Sequence, residues 1–446
     1  MIKVLVVFAL MKMMVPPPPA TVAKRADEYM QARLKVSKFS GAVLVARDGV
    51  PLFAKGYGFA NYEHDVPNTT QTKFRLASVS KQFTAAGIMI LEKEGKLRVD
   101  DPVSKHLPNV PDKWKDVTLH QLMSHTSGVP ENLSKALIKG MWPQPIEKER
   151  LFDHLKESPL DFKPGEKWSY SNTGYALLGQ VIEKITGLSY GDFLKVRIFE
   201  PLGMHDTGID NRRLVLKNRA NNYGTFMGQL SHAIYIDLSQ VYSAGSMYST
   251  VGDLLKWDNA LYTDTILPQS SLERMWTPVK NGYGYGWLIH RRFGRLRINH
   301  TGGLPGCHTF VNRYPGSHVL VAVLCNLEGS PFDKVADALA AIAHGDPYDV
   351  PVVRVEAKID PKILDKYVGE YELRPKVAIQ ITKEDEKLRA KFPNQNSRLI
   401  MTPESETKFF TKAAELTIAF EKDDKGKVTG IVVHDVGRDQ RWKKVK

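Results

Sequence analysis

The chain has 446 residues, of which 42% are hydrophobic and 25% charged, the balance of a soluble globular protein with room for a large core and an accessory module. Its formal net charge is +13, yet basic and acidic residues are interspersed, and the absence of a basic stripe or an aromatic-rich basic motif argues against nucleic acid as a partner. With only two cysteines, Cys307 and Cys325, no metal-type Cys/His spacing and no HExxH, nothing in the sequence calls for a metal or another cofactor.

Residues 1–20 open with Lys3 and a short apolar run, Val4 to Leu10, followed by Met11 to Val15 and the prolines Pro16 to Pro19. This reads as an export signal of atypical form, because Lys12 interrupts the apolar stretch and only Ala20 offers a cleavage position; the alternative is a disordered tail. The expectation is an exported, periplasmic or extracellular protein, with a cytoplasmic one as the alternative, and no later segment reaches the length of a membrane span. Thr21 to Val36 has the pattern of an amphipathic helix, and Ser40–Ala46 with Pro51–Phe59 that of a hairpin about Asp48-Gly49. After a strand-like Lys73–Leu76, apolar residues recur at helical spacing from Val79 to Leu91, with Gly95 as a stop. Ser78 therefore falls in the first turn and Lys81 three residues on, one face of a helix, where the amine reaches the hydroxyl. The free N–H groups of a helix start favour an alkoxide or oxyanion there, provided the lysine is buried or beside positive charge so that it can act as a base. Taken alone, the same spacing also describes a serine cap followed by a surface lysine.

Thr118 to Gly128 reads as a short helix capped by Thr118 and ended by Gly128. His125 within it invites the role of a base, but with no carboxylate nearby it fits better as a histidine hydrogen-bonded beneath an active-site floor. A turn at Phe162–Glu166 leads into Trp168-Ser169-Tyr170-Ser171-Asn172 and then a helix from Tyr175 to Ile185, stopped by Gly187. Tyr170 and Asn172, two apart on an extended connection, face one cleft, where a phenol can relay a proton and an amide can orient a substrate. A turn tyrosine and a capping asparagine are the plainer alternative. Asn221 to Ile236 lacks periodicity and reads as a long loop over the cleft. Beyond the helix Val251–Leu261, strands are expected near Tyr285–His290, Leu296–Thr301, His308–Tyr314 and Val319–Asn326, then a closing helix, Asp333–Ala343. His300-Thr301-Gly302-Gly303 ends the second of these strands, and its glycines either bring a backbone N–H to an oxyanion or make a simple turn. A turn at Pro315-Gly316-Ser317 with Tyr314 facing His318 sets Cys307 opposite Cys325, which allows a bridge; one more turn residue breaks that register, and free thiols are the favoured state. Residues 348–361 turn to Pro, Val and charge, a linker. Over 362–446 short alternating runs, Tyr367–Glu372, Val377–Thr382, Lys387–Phe392, Lys408–Thr411, Leu416–Phe420, Lys427–His434 and Arg441–Val445, predict a small all-β barrel.

Ser78-Val79-Ser80-Lys81, Tyr170-Ser171-Asn172 and His300-Thr301-Gly302 occur in this order at domain-scale separations, accompanied by LMSHTSG, FKPGEKWSYSNTGY, SAGSMYSTVGDL and HTGGLPG. Together they resemble the serine β-lactamase and penicillin-binding-protein superfamily, in its β-lactamase-related, class C-like branch. The resemblance extends from about Thr21 to Gly345, and the tail is similar to the lipocalin-like domain attached to such hydrolases. It implies an α+β fold: a β-lactamase-like αβ sandwich with an antiparallel sheet flanked by helices and a helical subdomain, residues 21–347, followed by the barrel. It also implies that Ser78 is acylated, that Lys81 and Tyr170 share general-base and proton-shuttle work, and that Asn172 holds the acyl side of the substrate. His300, Thr301, Gly302 and Gly303 would line the substrate's other edge, with the N–H groups of Ser78 and Gly303 as the oxyanion hole. His300 stands where the family often has a lysine, and a neutral imidazole attracts a substrate carboxylate less than a fixed cation. The expected function is a serine hydrolase cleaving small carboxylic esters or amides through an acyl-enzyme. The alternatives are a D-amino-acid peptidase, D-Ala-D-Ala carboxypeptidase or β-lactamase, and, in a different class, a non-catalytic scaffold or binding protein. A small-molecule ester, amide or peptide is thus the expected partner, and the oligomeric state is not legible.

Overall fold

The most continuous apolar runs of the chain become the strands of one sheet. In the computed structural model, which describes residues 16–131, 139–211, 213–393, 397–412 and 415–446, β1 (Gly41–Arg47) and β2 (Val50–Tyr57) form a hairpin. Its turn residues Asp48 and Gly49 both have positive φ, 51° and 76°, the geometry that matches the twist of two paired strands. Then β3 (Leu288–Arg292), β4 (Arg295–Leu304), β5 (Cys307–Tyr314) and β6 (Val319–Cys325) complete an antiparallel six-stranded sheet ordered β3-β4-β5-β6-β1-β2. Every residue of β6 is buried, so its sequence is an unbroken apolar run rather than an alternating one. Ala42, Leu44, Ala46, Leu320, Ala322 and Leu324 join the core that contains Leu254 and Trp257 of the helix Val251–Ala260. Their alternates Val43, Val45, Val321 and Val323 face the opposite side, where the helix Phe332–His344 packs. Each of these valines and leucines, fully buried, contributes about 1.5–3 kcal/mol.

The turn between β5 and β6 is one residue longer than the sequence suggests. A 3-10 turn at Pro315–Ser317 is followed by His318 at φ 48°, so Tyr314 pairs with Val319 and Cys325 faces His308. Cys307 is thus not opposite Cys325, and because alternate residues point to opposite faces the two thiols diverge. Both are free and buried, and the Cys307 Sγ donates to the Arg75 carbonyl at 3.0 Å.

A helical layer completes this α+β sandwich. Its centre is α2 (Lys81–Lys93), which follows the N-terminal α1 (Pro19–Val36) and is buried continuously from Lys81 to Leu91. A helix covered all round loses its polar stripe, and Gly87 permits the closest approach: a Cβ there would lie 2.9 Å from Ile182 Cδ1. Ile182 belongs to α4 (Asn172–Thr186), which packs against both α2 and α3 (Leu119–Met123). The stretch expected as an irregular loop, Asn221–Ile236, instead contains a short hairpin, Tyr223–Phe226 with Gln229–His232.

The described residues divide into two compact units, residues 16–30 with 37–345, and 31–36 with those from 346 onward. Residues 346–360 carry no regular structure, and a 3-10 turn starts at Pro361. The second unit is a distinct, closed, antiparallel barrel with eight strands among the described residues, one more than the sequence shows: Leu399–Pro403 is the addition. Its interior is filled by Tyr367, Tyr371, Phe409 and Phe420, with Tyr367 stacked on Phe420 at 4.0 Å and the Tyr371 hydroxyl donating to the Tyr367 carbonyl, as small barrels require. Of the signal-like segment, residues 1–15 lie outside the described ones. Among the described residues no helix is long and apolar enough to cross a membrane. Burial pushes the Cys307 thiol up to about 12 and Cys325 well above its ordinary value. Ellman's reagent is accordingly expected to find no reactive thiol in the native protein and both after unreduced denaturation; fewer than two would revive the bridge.

Candidate active site

Leu76 follows a short strand, Phe74–Arg75, and the chain turns into α2 through a 3-10 turn, Ala77–Ser80. Ala77 sits at φ 47°, a left-handed conformation that a residue with a Cβ adopts only when its surroundings impose it. Here they do. The Leu76 N–H donates to the Met247 carbonyl (2.8 Å), and the Leu76 carbonyl accepts from the Thr309 hydroxyl (2.9 Å). Within the turn Ala77, Val79 and Ser80 are buried, and Ser78 alone is partly exposed. Gly302 on β4 lies against the same turn, where a Cβ would be 2.2 Å from the Leu76 oxygen. The glycine read as room for substrate is therefore room for the protein's own backbone. At Gly303 a Cβ would meet nothing nearer than 4.0 Å, so that side is open.

Lys81 is fully buried (0% exposed). Its Nζ lies 3.1 Å from Ser78 Oγ, 2.8 Å from Asn172 Oδ1 and 2.8 Å from the Ala244 carbonyl oxygen. Desolvation pushes its pKa down to about 7 against the opposing pull of Glu131. A neutral amine has two N–H donors and one lone pair; two of its three neighbours accept only, and the third is a hydroxyl that can donate. The Tyr170 ring lies 4.8 Å from this amine, and its phenol neighbours the Ser78 hydroxyl, which acts to lower its pKa. Burial, reinforced by Glu131, raises the Tyr170 pKa above the usual phenol value, so it carries its proton at neutral pH.

Asn172 opens α4, whose N-cap Ser171 accepts from Gly174 N–H. Its side-chain amide donates to Glu131 Oε1 at 2.9 Å, and its backbone N–H donates to Glu131 Oε2. A carboxylate at a helix start is favourably placed. Glu131 escaped the sequence reading: it lies 41 residues from its partner, and the only cue is an acidic residue just beyond the Gly128 stop.

Ser78, Lys81, Tyr170 and Asn172 thus come together. His300 does not join them at an open edge. It is only 2% exposed; its Nδ1–H donates to the Thr301 carbonyl (2.6 Å), and its Nε2 accepts from the Tyr283 hydroxyl (2.9 Å). Burial, then the nearby Lys81, push its pKa down to about 3. The expectation of an imidazole offered to substrate gives way to a neutral ring whose nitrogens are both engaged within the protein. Thr301 beside it is partly exposed.

A buried lysine three residues beyond a helix-start serine, with a phenol and an amide brought across from the entry to a second helix, defines a serine hydrolase of the β-lactamase and penicillin-binding-protein superfamily. Residues 23–345 match the family model described as Beta-lactamase, and the chain belongs to that family; residues 353–444 match a domain of unknown function, DUF3471. Penicillin-binding protein 4* of Bacillus subtilis is 36% identical over 412 residues, covering 86% of this chain and 90% of that protein. Teichoic acid D-alanine hydrolase of Staphylococcus aureus is 29% identical over 316 residues, 69% of this chain and 74% of the relative. Among solved structures, the octameric penicillin-binding protein homologue from Pyrococcus abyssi superposes with a TM-score of 0.69 at 26% identity, covering 94% of this chain and 99% of that one.

The two glycines make a test of this geometry. Gly302→Ala is expected to lower unfolding free energy by about 3 kcal/mol, as overpacking against backbone does, whereas Gly303→Ala keeps wild-type stability. Urea titration of both variants measures the contrast, and equal stability would contradict the close approach.

Proposed function

We propose that the chain hydrolyses D-aminoacyl esters and amides through an acyl-enzyme on Ser78. Neutral Lys81, its two N–H groups holding Asn172 Oδ1 and the Ala244 oxygen, takes the Ser78 proton as Oγ attacks the carbonyl carbon. The N–H groups of Ser78 and Gly303 hold the oxyanion. The Tyr170 phenol gives its proton to the departing oxygen or nitrogen and recovers the one that Lys81 took from Ser78, and water then cleaves the acyl-enzyme by the same steps in reverse. The pKa directions support this division, the lysine being able to shed its proton near neutrality and the phenol not.

The observation that carries the substrate class is the sign of the fixed charge. Glu131 holds Asn172, the residue that would meet the acyl group, while position 300 supplies a buried neutral ring and no cation. A carboxylate beside the acyl site suits an α-ammonium group and opposes a substrate carboxylate, which weighs against D-Ala-D-Ala carboxypeptidase and β-lactamase activity. The name of the staphylococcal relative, a D-alanine hydrolase, supports the same class and its D configuration over esters and amides in general. We propose further that the protein is exported.

D-alanine p-nitroanilide should be cleaved some 10–100-fold faster in kcat/KM than its N-acetyl derivative, the worth of one charge-assisted hydrogen bond at about 1.5–3 kcal/mol. Glu131→Gln should erase that preference, and Ser78→Ala should abolish both activities. Equal turnover of the free and acetylated amines would remove the substrate assignment but not the acyl-enzyme. In pH–rate profiles, kcat/KM should rise with pH and reach half its plateau near 7, since only the deprotonated amine accepts the Ser78 proton. A flat profile between pH 5 and 9 would contradict Lys81 as base.

A further inference from the structure

His125 combines two features that sequences normally avoid. Its backbone is left-handed, φ 59°, and its Nε2 is buried with no hydrogen-bond partner. Residues that keep both strain and an orphaned polar atom in a fully buried place point to a functional constraint. The constraint is visible in what the rest of the residue does. The His125 carbonyl accepts from the Ser169 N–H at 3.0 Å, and its Nδ1 accepts from the Ser171 N–H at 3.1 Å. These are the residues immediately before and after Tyr170. The imidazole also lies against the Tyr170 ring, 4.3 Å between centroids, with Tyr283 at 4.6 Å and Tyr175 at 5.1 Å around it. Because Nδ1 accepts, the proton resides on Nε2, and the ring is neutral. Burial holds its pKa well below the ordinary value, and the charged or titratable groups that face it, Lys81 and His300, push the same way.

We propose that His125 is the positioning residue for Tyr170: one residue clamps the peptide groups on both sides of the phenol-bearing position and backs its ring, fixing the hydroxyl on the line between Ser78 and the leaving group. The left-handed backbone lets carbonyl and Nδ1 serve neighbouring N–H groups at once. The orphaned Nε2–H follows from committing Nδ1 as an acceptor. This inference rests on the reading of Tyr170 as the proton donor to the leaving group.

The test compares two esters of the same acyl group. A p-nitrophenolate leaves without protonation, whereas an ethoxide needs a proton, so a displaced Tyr170 harms only the second. His125→Leu should lower kcat/KM for the ethyl ester by about 100-fold and for the p-nitrophenyl ester by less than about threefold. His125→Asn, which tolerates the left-handed backbone and can place Oδ1 near the Nδ1 position, should restore ethyl-ester turnover to within about threefold of wild type. Should the leucine variant fail to fold, His125→Gln, whose amide extends to the Nε2 position, replaces it in the comparison. His125→Leu added to Tyr170→Phe should bring no further loss on the ethyl ester. Equal losses on both esters, no rescue by asparagine, or additive losses in the double variant would overturn the inference. If Tyr170→Phe itself shows no leaving-group dependence, it is the underlying reading of Tyr170 that fails.

Discussion

The structure depends on keeping one lysine amine dry. Lys81 is fully buried at the start of a helix that is itself covered on all sides. Lowering its pKa from 10.5 to about 7 corresponds to about 5 kcal/mol of disfavoured ammonium. The unfolded lysine is charged below 10.5, so folding carries this penalty increasingly as pH falls from 10.5 toward 7, and fully below it. The surrounding apolar core, with Phe83, Ile88, Met89, Leu91 and Tyr175 all buried, must supply the compensation. A hydrophilic helix face would relieve the penalty and with it the capacity to accept a proton. Core packing and site chemistry are thus one constraint.

Three of the chain's strained residues lie around the same amine. Ala77 at φ 47°, His125 at 59° and Tyr242 at 38° are non-glycine residues in left-handed backbone. Ala77 precedes Ser78, His125 brackets Tyr170, and Tyr242 opens the short helix Tyr242–Gly245 whose Ala244 carbonyl accepts from Lys81. Each such conformation costs about 1–3 kcal/mol, and each delivers one group to the amine. The neighbouring glycines make room where no side chain fits: Gly302 against Leu76, and Gly286, where a Cβ would lie 2.6 Å from the Lys81 oxygen.

What was legible in the sequence was whatever one segment declares by itself. The six sheet strands, the helix after Ser78 and the barrel show in local periodicity, and the Ser-x-x-Lys, Tyr-x-Asn and His-x-Gly groups stand within single turns. What was hidden depends on register or on space. The Cys307–Cys325 pairing failed by one residue because His318 adds a left-handed step that a Pro-Gly-Ser turn does not announce. Leu399–Pro403 escaped because it is short, ends in proline and is exposed at Ile400. The hairpin in Asn221–Ile236 escaped because three of its four Gln229–His232 positions are exposed, which leaves no apolar alternation to read. The Ala244 carbonyl is backbone, on which residue identity carries no mark. His300 turned inward because Tyr283 supplies a donor to it, a contact between a strand position and a loop 17 residues earlier that motif reading treats separately.

Under the proposed reading, the inward turn of His300 and the position of Glu131 act jointly on specificity. With the amine uncharged and both histidines neutral, no cation remains among these groups in the state proposed to accept the Ser78 proton, and the Glu131 carboxylate stands at Asn172. A lysine at position 300 would reverse the balance. It would offer a carboxylate a partner, and its charge, so near Lys81, would push that amine's pKa lower still and broaden the pH range in which it accepts a proton. The histidine therefore changes more than recognition: it leaves burial as the main force lowering the Lys81 pKa, with Glu131 opposing it. Under the proposed reading a single position couples the charge of the preferred substrate to the pH at which the serine can be activated, which is how one scaffold can divide between carboxylate-bearing and amine-bearing acyl substrates without rebuilding its nucleophile.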